Sequence, residues 1–326
     1  VKPAIGRFAR RAMLVWPGAT AFTLQKMERM RMARTPIQDG SKTSVELTHP
    51  ERIYWPDDGV SKQDLLDYYA LAWQRMMPFI ANRPLALLRC PDGIQGPRFF
   101  QKHAWKGINP HIEEIADPED KDATKLLKIT DFDGLAALVQ SAALEIHPWG
   151  TTTDHWERPD MIIMDLDPGE DVAWSKVVNA AKEIKERFSA LGLTSFVKTS
   201  GGKGLHVVAS VKSQATWPDI KGAAEAIAHT MSADSPEAYL SIASKAKRTG
   251  HIFIDYLRNG RGNTAVAPYS ARARKGAAVS MPVTWEELDG KIGPASFTVS
   301  NAASRLGQSS NDPWADFFTA AAPLKV

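Results

Sequence analysis

With 326 residues, 44% apolar and 24% charged, the chain is long enough to bury a substantial core, and its composition excludes disordered and collagen-like classes. Forty Lys and Arg against 37 Asp and Glu leave a formal charge of +3, too little for a polycation, and no apolar run approaches the ~18 residues of a membrane span. Its single cysteine, Cys90, excludes an internal disulfide and a cysteine-based zinc site, and points to a reducing cytoplasm.

The charge is unevenly spread. Residues 1–40 hold eight basic and two acidic residues, and 245–275 hold eight basic residues against Asp255 alone. Acid gathers at Glu113, Glu114, Asp117, Glu119, Asp120 and Asp122, which reads as a solvated loop facing away from any anionic partner. Clustered positive charge with an acidic back face suits a phosphate-rich ligand; a simple solvated face is the alternative.

Residues 1–42 lack a strong apolar period, end in Pro, Gly and Ser, and read as a basic linker or the remnant of an upstream region. Starting on Val, the chain reads as a piece of a longer polypeptide. A globular domain is expected over 43–326. Ser61 is a good N-cap for a helix through KQDLLDYYALAWQRMMPFI, in which Leu65, Leu66, Tyr69, Trp73 and Met76 recur at helical spacing, ending near 82–84. PLALLRC then reads as a strand and RFFQKH as a short extended piece. The strand DMIIMDLDPG precedes an amphipathic helix over 171–192, stopped by Gly192. Two strands around a glycine turn follow in LTSFVKTSGGKGLHVVASV, then a helix over 217–231 and a buried strand in HIFIDYL. No repeat is visible, and strands mixed with helices of this length indicate an α/β or α+β domain.

The sharpest chemical signal is Asp165-Leu166-Asp167-Pro168-Gly169 after Met161-Ile162-Ile163-Met164. On a strand, residues i and i+2 share a face, so both carboxylates project together. Paired anions at the end of an apolar strand are costly to desolvate, and a divalent cation is their natural compensation. A turn with two solvated aspartates is the bland alternative. Asp255 follows another apolar strand, His251-Ile252-Phe253-Ile254, and supplies the third carboxylate that two-metal phosphoryl or nucleotidyl transfer requires. Between these strands, Thr199-Ser200-Gly201-Gly202-Lys203-Gly204-Leu205-His206 can turn backbone N–H groups onto an anion, with Ser200, Lys203 and His206 adding side-chain donors. The spacing is not that of a Walker A loop. Alone it would be an ordinary tight turn; beside three aspartates it suits a triphosphate.

These segments, with LTHPERIYWP, FFQKH, ALEIHPW, FIDYLRN and APYSARAR, resemble in content and order the polymerase domain of bacterial DNA ligase D, in the archaeo-eukaryotic primase superfamily. The resemblance runs from about Val45 to the end of the sequence. It implies an α+β fold, a primase-type catalytic core of small mixed or antiparallel sheets flanked by helices. It also implies template-directed addition of ribo- or deoxyribonucleotides to 3′ ends at DNA breaks and gaps in bacterial non-homologous end joining, with two Mn²⁺ or Mg²⁺ ions and a nucleoside triphosphate substrate. By the same resemblance, Asp165, Asp167 and Asp255 are the metal-binding catalytic triad, and Ser200, Lys203, His206 and Arg272 contact the triphosphate. His147 lies near the sugar or metal, with a structural histidine the alternative, and Arg248 contacts nucleotide or DNA phosphate, with a solvated arginine the alternative. Arg52 and Lys62, otherwise read as surface charges, match a pair binding the 5′ phosphate beyond a gap or overhang. Phe99 and Phe100 match aromatics that stack on template and nascent base pair, with core packing of one of them the alternative. Leu88 stands where some relatives carry a basic residue, so a base or phosphate interaction there is missing or passes to Arg89. Ligase and nuclease domains on the same polypeptide, Ku as a partner and a cytoplasmic, nucleoid-associated location are further expectations. The competing reading is an end-bridging module with incidental polymerase activity.

Overall fold

The computed structural model describes residues 42–120, 124–290, 292–308 and 311–325. The linker expected over 1–42 and the acidic residue Asp122 lie outside them, save for Lys42. In chain order the strands are β1 (Ile53–Trp55), β2 (Val60–Ser61), β3 (Leu85–Arg89), β4 (Phe99–Gln101), β5 (Glu113–Ile115), β6 (Leu126–Lys128), β7 (Ala143–Pro148), β8 (Met161–Pro168), β9 (Ser195–Thr199), β10 (Leu205–Ser210), β11 (Tyr239–Leu240), β12 (Ile252–Asp255) and β13 (Pro282–Val283). The α-helices are α1 (Lys62–Ile80), α2 (Phe132–Gln140), α3 (Trp174–Ala190), α4 (Trp217–Asp234) and α5 (Val299–Gln308).

A larger sheet runs β11-β12-β8-β10-β9-β13, antiparallel except for the β11–β12 pair. In the second sheet the path is β4-β3-β6-β5, with β7 also paired to β3. The α+β class expected from the sequence is the one observed. Strict alternation on β8 sends Ile162, Met164 and Leu166 into the core, where α3 and α4 cover that face, and leaves Asp165 and Asp167 on the other. Helices α1 and α2 pack against β7 in the second sheet.

Ser61 starts α1 through a capping box: its hydroxyl accepts from the Asp64 N–H, and Asp64 in turn accepts from the Ser61 N–H at 2.8 Å. Thr216 and Asp219 do the same for α4. Helix α3 starts at Trp174, three residues later than its pattern suggested. Asp171, the natural cap, instead accepts from the Gly250 N–H at 2.9 Å, and Ala173 takes the N-cap position without a side-chain bond.

The acidic run is not a free loop. Glu113 and Glu114 form the edge strand β5, and Asp117 is buried in a bidentate pair with Arg261, at 2.6 and 2.9 Å. Arg261 also holds Glu157 at 2.7 Å, so one member of the C-terminal basic cluster is neutralised within the fold. Among the described residues, no helix is long and apolar enough to cross a membrane.

Candidate active site

Register assembles the site. Asp255 on β12 pairs with Asp165 on β8, Asp165 with His206 on β10, His206 with Lys198 on β9, and Lys198 with Pro282 on β13. Cross-strand partners face the same side with Cβ atoms about 5 Å apart. Residues as far apart in sequence as Asp165 and Pro282 therefore form one lateral row, with Asp167 one step along the same face.

Cations surround the three carboxylates. Arg258 lies 3.4 Å from Asp165 Oδ2 through Nε and 3.2 Å from Asp255 Oδ2 through Nη2, while Arg248 pairs with Asp167. Burial would raise the Asp165 carboxyl, but His206, Arg258 and Lys198 outweigh it and hold the group well below the carboxylate range. Asp255 moves the other way: burial and repulsion from Asp165 and Asp167 raise it against the pull of Arg258. His206 is lowered to about 4 by burial and the neighbouring Lys198, so its ring is neutral at pH 7. Its Nε2 faces Asp165 Oδ1 at 3.3 Å.

Among the described residues no trio of acidic or histidine side chains converges on a metal-sized point; each of the three carboxylates is instead paired with an arginine. The donor set nonetheless fits hard divalent ions: it is all oxygen, lies on one face, and already engages two cationic groups.

A polar cavity of about 180 Å³ opens on this face, lined among others by Asp165, Asp167, His147, Ser200, Lys203, His206 and Arg272. The glycine turn forms its rim. Ser200 Oγ accepts from the N–H groups of Gly202 and Gly204, at 3.2 and 3.3 Å, so this hydroxyl shapes the turn. Gly204 is dictated by proximity: a Cβ there would stand 1.8 Å from the Leu166 carbonyl oxygen. Gly201 has φ +64°, and a Cβ would meet Arg272 Cγ at 2.6 Å. Lys203 is exposed and pairs with Glu170 at 2.8 Å, an exposed contact that a bound anion can displace.

Arg272 is fixed from several directions. Tyr68 on α1 donates to the Tyr269 carbonyl at 2.7 Å, Tyr69 accepts from the Ala271 N–H at 3.1 Å, and Trp55 donates to the Arg272 carbonyl at 3.0 Å. Its guanidinium then pairs with Glu145 on β7 at 3.1 Å and donates to the Ser200 carbonyl, linking the two sheets. Burial would raise Glu145, yet His147 at 2.8 Å and Arg272 pull it down to about 2.

Phe99 and Phe100 are both about half exposed, so neither packs in the core. Phe100 meets His147 edge-on at 5.6 Å between ring centres and pairs in register with Leu88, which puts it on the same face as Glu145 and His147. Arg89 does not replace the cation missing at Leu88. It pairs with Phe99, donates to the Ser141 carbonyl at 2.9 Å, and lies 3.9 Å above the Trp105 ring. Lys62 is buried rather than a surface charge: its ammonium donates to the Thr48 carbonyl at 2.7 Å and Gln140 Oε1 at 3.2 Å. Burial and the nearby Arg52 both lower it, which places two cations close together without a carboxylate bonded to Lys62. Arg52 is exposed and donates to the Pro91 carbonyl at 3.1 Å.

Sequence reasoning missed Lys198, Glu145 and Arg258 as site residues, along with Arg274 and Thr264 in the cavity wall. Arg258 carries a usable signal, three residues beyond Asp255 and so on its side of a turn. Lys198 carries none, because a lysine in an alternating strand reads as solvent-facing.

A family model described as "LigD, primase-polymerase domain" matches residues 61–314. The multifunctional non-homologous end joining protein LigD of Pseudomonas aeruginosa is 35% identical over 288 residues, covering 88% of this chain and 34% of that protein. The corresponding DNA repair protein of Mycobacterium tuberculosis is 31% identical over 257 residues, covering 76% of this chain and 34% of that protein. The chain thus spans about a third of the length of these relatives. A solved structure described as the polymerase domain from M. tuberculosis ligase D in complex with DNA superposes with a TM-score of 0.78 at 28% identity, over 86% of this chain and all of that one.

Proposed function

The chain belongs to the LigD primase-polymerase domain family, and from that membership we propose that it extends the 3′ strand at DNA breaks and gaps by templated nucleotide addition during end joining. The observation that carries this reading is the in-register row of Asp255, Asp165, His206 and Lys198 beside the polar cavity rimmed by the glycine turn.

Asp165, Asp167 and Asp255 would hold divalent cations, Mn²⁺ or Mg²⁺, and those ions would acidify the primer hydroxyl and offset the charge of the triphosphate. Arg272, with Lys203 once released from Glu170, anchors the triphosphate, and the glycine turn lets it approach the backbone closely. His206, neutral and buried, brings a ring nitrogen to the cavity rather than a charge. Glu145 holds both His147 and Arg272, and so sets the side of the cavity toward Phe100, whose ring offers a stacking surface to the base pair being formed. Arg52 and Lys62 would receive the 5′ phosphate of the downstream strand, and Arg248 would exchange Asp167 for a phosphate. Use of ribonucleotides, cooperation with ligase and nuclease domains and with Ku, and a place at the nucleoid belong to the same proposal.

Asp165→Asn tests it on a 5′-phosphorylated gapped duplex with Mn²⁺ and each nucleoside triphosphate. Extension is expected to fall by at least about 10³-fold, the scale lost with a group acting on the transition state, while gap binding stays within about twofold. Extension at the parental rate overturns the assignment.

A further inference from the structure

The polymerase reading leaves unexplained why a lysine is buried behind the site. Lys198 is 2% exposed and on the cavity side of β9, yet His206 stands between it and Asp165. Its Nζ lies 2.7 Å from Ser280 Oγ and 3.0 Å from His206 Nδ1. Ser280 is fully buried, and its Oγ lies 2.9 Å from the Thr199 carbonyl oxygen.

Proton accounting gives this chain a direction. A carbonyl can only accept, so the single Ser280 hydroxyl proton goes to Thr199, and Ser280 Oγ must accept from Lys198. At the far end, the ionised carboxylate of Asp165 can only accept, so the proton facing it belongs to His206 Nε2. Lys198 Nζ carries at least two protons: one serves Ser280, and another lies toward His206 Nδ1, 3.0 Å away, which accepts it with its lone pair. The relay runs Thr199 O ← Ser280 ← Lys198 → His206 → Asp165, with one donor and one acceptor at each contact. His206, at 3% exposure, is shielded from the water that would otherwise compete for either nitrogen.

We propose that Lys198 and Ser280 form a buried positioning pair that fixes His206 in its Nε2–H tautomer, so that the ring always turns a hydrogen-bond donor toward the anion-binding cavity. The idea deepens the polymerase reading, since the anion it serves would be the triphosphate. The opposite tautomer would aim a lone pair at Asp165 and at any phosphate oxygen beside it, replacing attraction with repulsion on both counts. Lys198 touches neither reacting atom nor ligand; it acts through His206.

The test is long-range ¹H–¹⁵N NMR of histidine-labelled, metal-free protein at neutral pH, so it does not depend on catalysis. The parental protein is expected to show His206 protonated at Nε2 alone. Lys198→Met keeps most of the volume without a donor, and the ring is expected to lose its single tautomer. Lys198→Arg, which restores a donor, is expected to restore it. If Lys198→Met does not fold, Ser280→Ala retains the ammonium but removes its second anchor, and partial loss of the tautomer is expected there.

Nucleotide titrations should follow the spectra, with KM for the triphosphate rising about tenfold or more in Lys198→Met, as for a lost hydrogen bond to a charged group, and kcat changing less. A parental ring protonated at Nδ1 or doubly protonated overturns the proposal. So does a folded Lys198→Met protein that merely melts earlier with its tautomer intact. Should no variant or parent extend DNA, the polymerase reading fails while the tautomer result stands by itself.

Discussion

Glu145 carries more of the site than its position in LEIHPW suggests, because from 4% exposure it bonds His147 and the Ala273 N–H and forms an ion pair with Arg272. Its carboxyl, held down to about 2, contributes stability that is fully present above the unfolded carboxylate range and is lost as pH falls through about 2. Glu145→Gln leaves Arg272 in a buried site without its counter-charge, so a loss of about 3–5 kcal/mol is expected at pH 7. Denaturant melts at descending pH should show the gap between parent and variant narrowing on the acid side; a constant gap contradicts the pairing. The residue itself was not legible in the sequence as a site residue. An acid within an apolar strand announces burial, but its partner Arg272 lies 127 positions away, and only the fold brings the two together.

At the scale of elements, the sequence was most readable where local chemistry and tertiary demand agree. Ser61 with Asp64 caps α1, and the alternation of β8 sorts Asp165 and Asp167 from Leu166, all without long-range help. It was least readable where distant partners compete. Asp171 leaves the start of α3 for Gly250, and Asp117 leaves its acidic run for Arg261. Helix α2, the edge strand β5 and its neighbour β6 are too short for a periodic signal. Phe99 and Phe100 point to opposite faces as strand neighbours must, and the core takes neither because β4 is an edge strand.

The glycine turn between β9 and β10 gives an element-level prediction. Gly204→Ala drives a methyl into the Leu166 carbonyl, a backbone atom flanked by two catalytic candidates, so a loss of about 3 kcal/mol or more is expected together with impaired extension. Gly222→Ala on α4 is the control. Nothing lies within 4 Å of its added carbon, and helix propensity favours the change by up to about 1 kcal/mol. Equal stability of the two variants in urea melts rules out the close approach as the reason for glycine.

Viewed whole, the domain divides its labour between two sheets. The larger contributes the carboxylate row and the glycine turn; the smaller contributes His147, Glu145 and the aromatic edge; Arg272 ties one to the other. Clamps away from the chemistry serve the same end. Arg83, 1% exposed, makes a bidentate pair with Asp160, the residue just before β8, and so fixes where that strand begins.

The bare aromatic strand also has a consequence for handling the protein. Phe99 and Phe100 put two rings and an open ladder of backbone groups at the rim of a sheet, while a formal charge of +3 gives copies little reason to repel one another. Concentrated, nucleic-acid-free preparations should therefore be colloidally poor. Light scattering is expected to fall on adding a short gapped duplex, or with Phe99→Glu in its absence, and scattering indifferent to both would mean that the rings do not mediate self-adhesion.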